Sequence, residues 1–302
     1  MSGSIGGSRI KRKDVQPTLD KYEEQVLKGF PGYESYAITG SYNAGTRADH
    51  GDIDIVLYIK HNNIVKLKSE FRDYLNSLPD NVTVPFRWGK RIGDKSQLFG
   101  NLVTCAFPIA GSDNEYVQID NMMVCTAEDA RFLREFMNLD AQHQALFQGI
   151  ARVLIQQGKG PAAFKHFGLT DLPEPGPNQE YEFVLSPNGL SLRLVTLSGF
   201  KETGRVEVWR SNNWSDVEWL MSDYDMHAPF EETLQTVAKK IKDDRSHRRI
   251  YGVMKSMIRI GPGEVGTPKG DAKQQGIDRT KEVLNVKESL SSLSEYLKEH
   301  LN

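Results

Sequence analysis

The chain has 302 residues, of which 38% are apolar and 26% charged, a balance typical of a folded globular protein with one large or two smaller domains. No apolar run approaches the roughly 18 residues of a membrane span, and the net charge of −2 excludes a chain-wide attraction to polyanions. Its two cysteines, Cys105 and Cys125, lie in strand-like runs and indicate free thiols in a cytoplasmic protein without a disulfide or zinc framework.

The first half of the chain alternates between strand and helix patterns. In order, these patterns predict a flexible start at 1–16, a helix at 17–29, strands at 34–42 and 52–60, a helix at 62–78, strands at 82–88, 98–109 and 116–125, and a helix at 126–139 capped by Thr126.

The second half is mainly helical. Its patterns predict a helix at 141–158, a proline-rich connection at 169–181, a β-hairpin and a third strand within 181–210, helices at 214–222, 230–244 and 247–260, a loop at 261–276 and a terminal helix at 278–301. We therefore expect an α+β protein. A small mixed sheet with flanking helices should occupy residues 17–135, and a mainly helical lobe containing the hairpin should occupy 136–302.

Two acids interrupt the apolar strand that begins at residue 52. Asp52 and Asp54 are two positions apart, so they share one face of the strand while Ile53 and Ile55 face the core. Carboxylates at this distance repel each other unless a cation lies between them. Mg²⁺, or Mn²⁺ in its place, is the expected ion, because it prefers carboxylate oxygens together with substrate phosphates.

A third acid follows on a later strand. In the run YVQIDNMMV, Gln118 and Asp120 share one face, and Val117 and Ile119 share the other. If this strand neighbours the first, Asp120 joins the acid pair and the site can hold two ions about 3.5–4 Å apart, as in phosphoryl transfer. Glu115 is the substitute candidate for this third position.

The turn before the acid pair suits a phosphate group. Gly40 and Ser41 end a strand, and Asn43, Thr46 and Arg47 follow in the same turn. Small residues let backbone amides approach an anion, while hydroxyl groups add further donors. A triphosphate bound here would meet amides on one side and metal ions on the other.

This combination of turn, spacing and acid pair resembles the nucleotidyltransferase superfamily that includes DNA polymerase beta. The resemblance covers residues 30 to 125 and implies a polymerase beta-like core that binds a nucleoside triphosphate and two metal ions. It assigns the triphosphate to Gly40 and Ser41, both ions to Asp52 and Asp54, and the catalytic ion to Asp120. Asn121 departs from the pattern, since an apolar residue usually follows the third acid in this family.

The acceptor of the transferred group is predicted from charge. Residues 239 to 281 contain twelve basic and five acidic side chains, an excess of +7. Arg248 and Arg249 beside Tyr251, with Lys255 one turn later, favour contacts with a single-stranded or RNA 3′ end. The alternatives are synthesis of a cyclic or short oligonucleotide, transfer to a protein or small-molecule hydroxyl, and a catalytically silent nucleotide- or partner-binding protein.

Overall fold

The structure, a computed structural model, describes residues 7–43, 48–85, 87–88, 91–92, 95–99, 102–112, 114–198, 201–260 and 265–286. The protein is α+β with mixed sheets, as predicted from the sequence. Among the described residues, no helix combines the length and apolar character needed to cross a membrane.

The chain forms two compact units. The first comprises residues 1–140 with the short segments 187–189 and 212–214, and the second comprises the remainder. The elements of the first unit are β1 (Ile10–Lys11), α1 (Arg12–Gln25), β2 (Tyr33–Thr39), β3 (Asp49–His50), β4 (Asp52–Ile59), α2 (Ile64–Ser77), β5 (Arg87–Trp88), β6 (Arg91–Ile92), β7 (Ser96–Phe99), β8 (Leu102–Pro108), β9 (Tyr116–Val124) and α3 (Ala127–Asn138).

A five-stranded mixed sheet organises the first unit. Its strand order is β2-β4-β9-β8-β7, in which β4 and β9 are parallel and the other neighbours are antiparallel. The central strands β4, β9 and β8 are rich in Ile, Val, Met and Cys, the residue types that suit a sheet covered on both faces. The sequence predicted one strand over 98–109, whereas the structure has the hairpin β7–β8 there.

The two faces of β4 differ in what they bury. Ile53, Ile55 and Leu57 belong to the main core, which also contains the inner faces of α1 and α2. On the opposite face, Val56 packs with residues of β9 and with Leu133 of α3. The apolar part of this second face lies further along β4 than Asp52 and Asp54, so the acids occupy the part of the face that precedes it.

The beginning of the chain is more ordered than the sequence predicted. The flexible start was expected to reach residue 16, but α1 begins at Arg12 and follows a strand residue, Ile10. Ile10 and Val15 are buried in the core, and this burial explains the early start of the helix. Pro17 lies inside α1 without ending it.

The second unit contains six α-helices and three strands among its described residues. They are α4 (Ala141–Val153), α5 (Gly160–His166), β10 (Gln179–Ser186), β11 (Gly189–Ser198), β12 (Lys201–Ser211), α6 (Trp214–Leu220, whose first residue belongs to the first unit), α7 (Phe230–Lys240), α8 (Asp244–Met257) and α9 (Pro268–Val283). The predicted hairpin and third strand form one sheet, in the order β10-β11-β12.

Two helix boundaries in this unit differ from the sequence prediction. The chain was expected to continue as helix from α7 into α8, but Ile241 is extended and Asp243 caps α8 by accepting a hydrogen bond from the Ser246 amide. The predicted loop at 261–276 contains the start of α9, where Thr267 is the N-cap and Pro268 the first helical residue. A Thr-Pro pair favours a helix start, so the local sequence carried a signal for this boundary. The terminal helix was predicted over 278–301, but α9 ends at Val283, and residues 287–301 of the prediction lie outside the described residues.

Candidate metal centre

The structure brings Asp52, Asp54 and Asp120 together; we call these three residues the triad. In the register of β4 and β9, Asp54 lies opposite Asp120 and Asp52 lies opposite Gln118. One carboxylate oxygen from each acid lies within 4.8 Å of the others. Within the described part of the chain, this is the one group of three or more such side chains placed to share an ion.

The triad places like charges in a partly dehydrated position. Asp120 is 6% exposed and Asp52 is 9% exposed. Two unit charges 4.8 Å apart repel by roughly 3.5 kcal/mol at an effective dielectric constant of about 20. Burial raises the pKa of the Asp120 carboxyl, and the hydrogen bonds that it accepts oppose the rise. A divalent cation among these oxygens would turn the repulsion into attraction.

Neutral donors surround the Asp120 carboxylate. Thr104 of the neighbouring strand β8 donates from Oγ1 to Oδ1 at 2.7 Å. The Gln118 amide donates from Nε2 to Oδ1 and Oδ2 at 2.9 and 3.0 Å. Both partners hold the carboxylate without adding charge, so Asp52 and Asp54 remain its charged neighbours within the triad.

Asn121 and Glu115 lie away from the triad. Asn121 is fully buried on the opposite face, where it accepts from the Tyr22 hydroxyl at 3.0 Å and donates to the Val103 carbonyl at 2.9 Å. Its amide is thus satisfied in the core, which explains how a polar residue can follow the third acid. Glu115 lies before β9 near Ser112 and is not part of the group that could share an ion.

The Gly-Ser turn lies directly against the acid pair. Gly40 has a φ of +67°, and a Cβ built at this position would lie 2.3 Å from Oδ2 of Asp54. Both facts require glycine, since L side chains rarely adopt this φ and no space remains for a methyl group. The close approach places the backbone at the beginning of the Gly40–Tyr42 turn beside the Asp54 carboxylate.

The other predicted residues of the turn have different surroundings. Ser41 Oγ lies 3.2 Å from Nδ1 of His50, and the Asn43 amide donates to the Ile38 carbonyl at 2.7 Å and to Asn138 Oδ1 at 3.0 Å. Asn43 therefore holds the turn in shape. Thr46 and Arg47, both predicted to bind nucleotide, lie outside the described residues.

The residue types of the triad fit a hard divalent ion. Mg²⁺ binds one or two carboxylates together with substrate phosphates and keeps several waters, and Mn²⁺ accepts the same oxygen ligands. Asp52, Asp54 and Asp120 would hold such ions. No Cys or His belongs to the group, so its donor set does not resemble a zinc site.

The predicted acceptor residues all lie in α8 but differ in their contacts. Arg249 pairs with Glu180 and with Glu182, whose side chain is 2% exposed. Arg248 is exposed and pairs with Asp244 one turn earlier at 2.7 Å. Much of the predicted positive surface is therefore engaged in ion pairs within the second unit.

Lys255 lies instead at a cleft of about 510 Å³ between α8 and α9. Three isoleucines, one tyrosine and three cations contribute to its lining. Its lining residues are Tyr251, Lys255, Ile258, Arg259, Ile260, Gln274, Ile277, Asp278 and Lys281.

Sequence reasoning did not assign roles to three residues near the site. Gln118 shares a strand face with Asp120, so the strand period contained a signal for it. His50 precedes the acid pair by two residues and is 2% exposed. Thr104 reaches Asp120 through the antiparallel pairing of β8 with β9, which no local pattern reveals.

No protein-family model and no curated protein matches the chain.

Proposed function

We propose that the protein is a metal-dependent nucleotidyltransferase that moves a nucleoside monophosphate from a nucleoside triphosphate to an acceptor hydroxyl. The observation that carries the proposal is the convergence of Asp52, Asp54 and Asp120 within 4.8 Å on two parallel neighbouring strands. Three acidic side chains in one partly buried place are costly for a binding module, whereas two-metal phosphoryl transfer requires them.

The turn at Gly40 supports the same reaction. Because Gly40 lies against the Asp54 carboxylate, phosphates at the Gly40–Ser41 turn would lie next to the ions held by the triad. This is the arrangement of the polymerase beta-like core that the sequence resembles. Backbone amides would bind the triphosphate without adding side-chain charge.

Each residue of the site has a part in this reaction. Divalent ions at such a site lower the pKa of the acceptor hydroxyl and neutralise charge on the departing pyrophosphate. Asp52 and Asp54 would hold both ions, and Asp120 would orient the one nearest the acceptor oxygen. Thr104 and the Gln118 amide keep the Asp120 carboxylate in place through their hydrogen bonds. No protein nucleophile is required.

Pyrophosphate release tests the reaction class. The protein is incubated with each labelled triphosphate and Mn²⁺, and pyrophosphate is measured. We expect the isosteric double variant Asp52→Asn/Asp54→Asn to lose roughly 100-fold or more of the rate, as when other electrostatic stabilisers of a transition state are removed. The control Asp73→Asn/Asp80→Asn neutralises two exposed acids and should behave as wild type. Equal release by wild type and the Asp52/Asp54 variant would refute catalysis at the triad.

For the acceptor, we propose a nucleic-acid 3′ end, single-stranded or RNA. The support is the cleft in the second unit, which is lined by Tyr251 together with Lys255, Arg259 and Lys281. A stacking ring next to cations suits successive bases and phosphates of a single strand. Arg249 is less suitable as a contact, because it already pairs with Glu180 and Glu182.

Primer extension tests the acceptor. The protein is incubated with all four triphosphates, with and without RNA or DNA oligonucleotides. We expect Lys255→Glu/Arg259→Glu to weaken primer binding. The slope of log affinity against log salt concentration should become shallower by about one for each phosphate that is no longer neutralised. The control Lys165→Glu/Arg205→Glu makes the same charge change on exposed residues of the second unit outside the cleft lining. Formation of a short soluble nucleotide without primer would instead indicate an oligonucleotide or cyclic product.

A further inference from the structure

Gln118 presents one buried polar atom that the fold does not use. Its side chain is 2% exposed, and its Nε2 donates to both oxygens of Asp120 at 2.9 and 3.0 Å. The Oε1 atom of the same amide is buried and has no hydrogen-bond partner among the residues that the structure describes. One half of the amide is therefore fully engaged at the triad, and the other half is not satisfied by the described protein atoms.

Such an atom is unfavourable unless something binds it. Leaving a buried acceptor unsatisfied costs about 1–3 kcal/mol, and native proteins rarely keep one without a bound water, an ion or a functional reason. An apolar side chain of similar length would avoid this cost on a strand whose other positions are mostly apolar. A ligand that donates a hydrogen bond to Oε1 would therefore explain why glutamine occupies this position.

The position of Gln118 indicates what that ligand is. In the sheet, Gln118 lies opposite Asp52 on β4 and opposite Ala106 on β8, and it shares a face with Asp120. Two of the three carboxylates that would hold a divalent ion therefore neighbour Gln118, with a small residue on its other side. Mg²⁺ and Mn²⁺ at such sites keep several waters.

We propose that Gln118 is a positioning residue of the metal centre, which fixes the Asp120 carboxylate through Nε2 and accepts a hydrogen bond through Oε1 from a water bound to the ion. This inference rests on the proposed function. Glutamine has both a donor and an acceptor on one rigid amide and adds no fourth negative charge to the triad. Partners of this kind orient the groups that hold the metal and contribute to its affinity.

Direct measurement of Mn²⁺ binding tests the proposal. Affinity is measured by electron paramagnetic resonance, and the hydration of the bound ion by water-proton relaxation. We expect Gln118→Met, which keeps the length and removes both hydrogen-bonding groups, to weaken Mn²⁺ binding 10–100-fold and to change the relaxation of the bound-ion waters. Gln118→Asn, shorter by one methylene, should show the same loss. The control Gln148→Met removes a buried glutamine amide from α4 in the second unit and should bind Mn²⁺ as wild type does.

The outcomes separate this inference from the proposed function. If wild type binds Mn²⁺ and releases pyrophosphate while both Gln118 variants bind Mn²⁺ equally well, the inference is wrong and the proposed function stands. Failure of wild type to bind Mn²⁺ at all would remove both. Loss of folding in both Gln118 variants, seen by circular dichroism, would assign the residue a purely structural role and overturn the proposal.

Discussion

The two compact units each contain a cluster of buried and half-buried carboxylates, and the clusters are built in opposite ways. In the first unit, Asp52, Asp54 and Asp120 gather like charges within 4.8 Å. In the second unit, Glu180 and Glu182 both pair with Arg249. Burial raises the pKa of Glu182, and the positive charges of Arg152 and Arg249 oppose the rise.

This difference distinguishes a site from a structural ion pair. An arginine held between two glutamates satisfies its partners within the protein, so the cluster needs no ligand. The triad instead concentrates negative charge and surrounds Asp120 with neutral donors, an arrangement that gains most from a bound cation. Perturbed acids occur in both clusters, so a raised pKa alone would not have separated them.

Removal of Arg249 should have the largest effect on stability. Arg249→Met removes the arginine that pairs with the nearly inaccessible Glu182, while Glu180 keeps its pair with Arg245, and breaking a buried pair in this way costs about 3–5 kcal/mol. Urea unfolding followed by circular dichroism measures the loss. The double variant Arg249→Met/Glu182→Gln should recover part of it, and a wild-type unfolding midpoint for Arg249→Met would show that the pair is not structural.

Metal ions should stabilise the folded protein by binding to the triad and not to the cluster of Glu180, Glu182 and Arg249. At a Mn²⁺ concentration 100 times its dissociation constant, binding to the folded state adds about 2.7 kcal/mol. We expect the melting temperature of wild type to rise with Mn²⁺ and that of Asp52→Asn not to respond. Glu180→Gln is the control from the second cluster, and its response to Mn²⁺ should equal that of wild type. An identical rise in Asp52→Asn would place the ions elsewhere.

The Gly40 turn offers a test with a built-in control. Gly40→Ala combines a positive φ with a clash against Asp54, whereas Gly111→Ala has a φ of +79° and no atom within 4 Å of the new methyl group. The backbone term costs roughly 1–2 kcal/mol in both variants. Only Gly40→Ala should also weaken Mn²⁺ binding, measured by paramagnetic resonance. Equal Mn²⁺ affinity in the two variants would separate the turn from the metal centre.

Much of the site could be predicted from local patterns. The strand period placed Asp52 and Asp54 on one face, and the Gly40–Ser41 turn followed from residue type and spacing. The position of Asp120 beside Asp52 and Asp54 depends on the parallel register of β4 and β9. The sequence is compatible with this register but does not determine it, because the pairing joins residues far apart in the chain. Thr104 enters the site in the same way, through β8.

The prediction of the basic segment shows the limit of charge counting. The sequence shows an excess of +7 over residues 239–281, but not which cations are paired. Arg249 meets Glu180 and Glu182 at separations of 69 and 67 residues, beyond the reach of any local pattern. By contrast, the start of α9 at Thr267-Pro268 was a local signal and could have been predicted.

An exposed ion pair in the second unit should have the smallest effect. The hydrogen bond from Arg279 of α9 lowers the pKa of Glu231 in α7, and a weaker contribution comes from the hydrogen bond of Gln235. Together they bring this pKa to about 2. Because this pKa lies below the ordinary value of 4.5, the stabilisation is present at neutral pH and is lost as pH falls from about 4.5 towards about 2. Glu231→Gln should therefore lower the melting temperature slightly at pH 7 and not at pH 2, and less at high salt. A pH-independent difference would contradict the pairing.

The central claim is that the triad holds divalent ions, and anomalous diffraction from crystals soaked in Mn²⁺ and a non-hydrolysable triphosphate tests it most directly. We predict anomalous peaks bonded to oxygens of Asp52, Asp54 and Asp120, with the triphosphate at the Gly40–Ser41 turn. Manganese found only at other surface carboxylates, with no peak at the triad, would contradict the account.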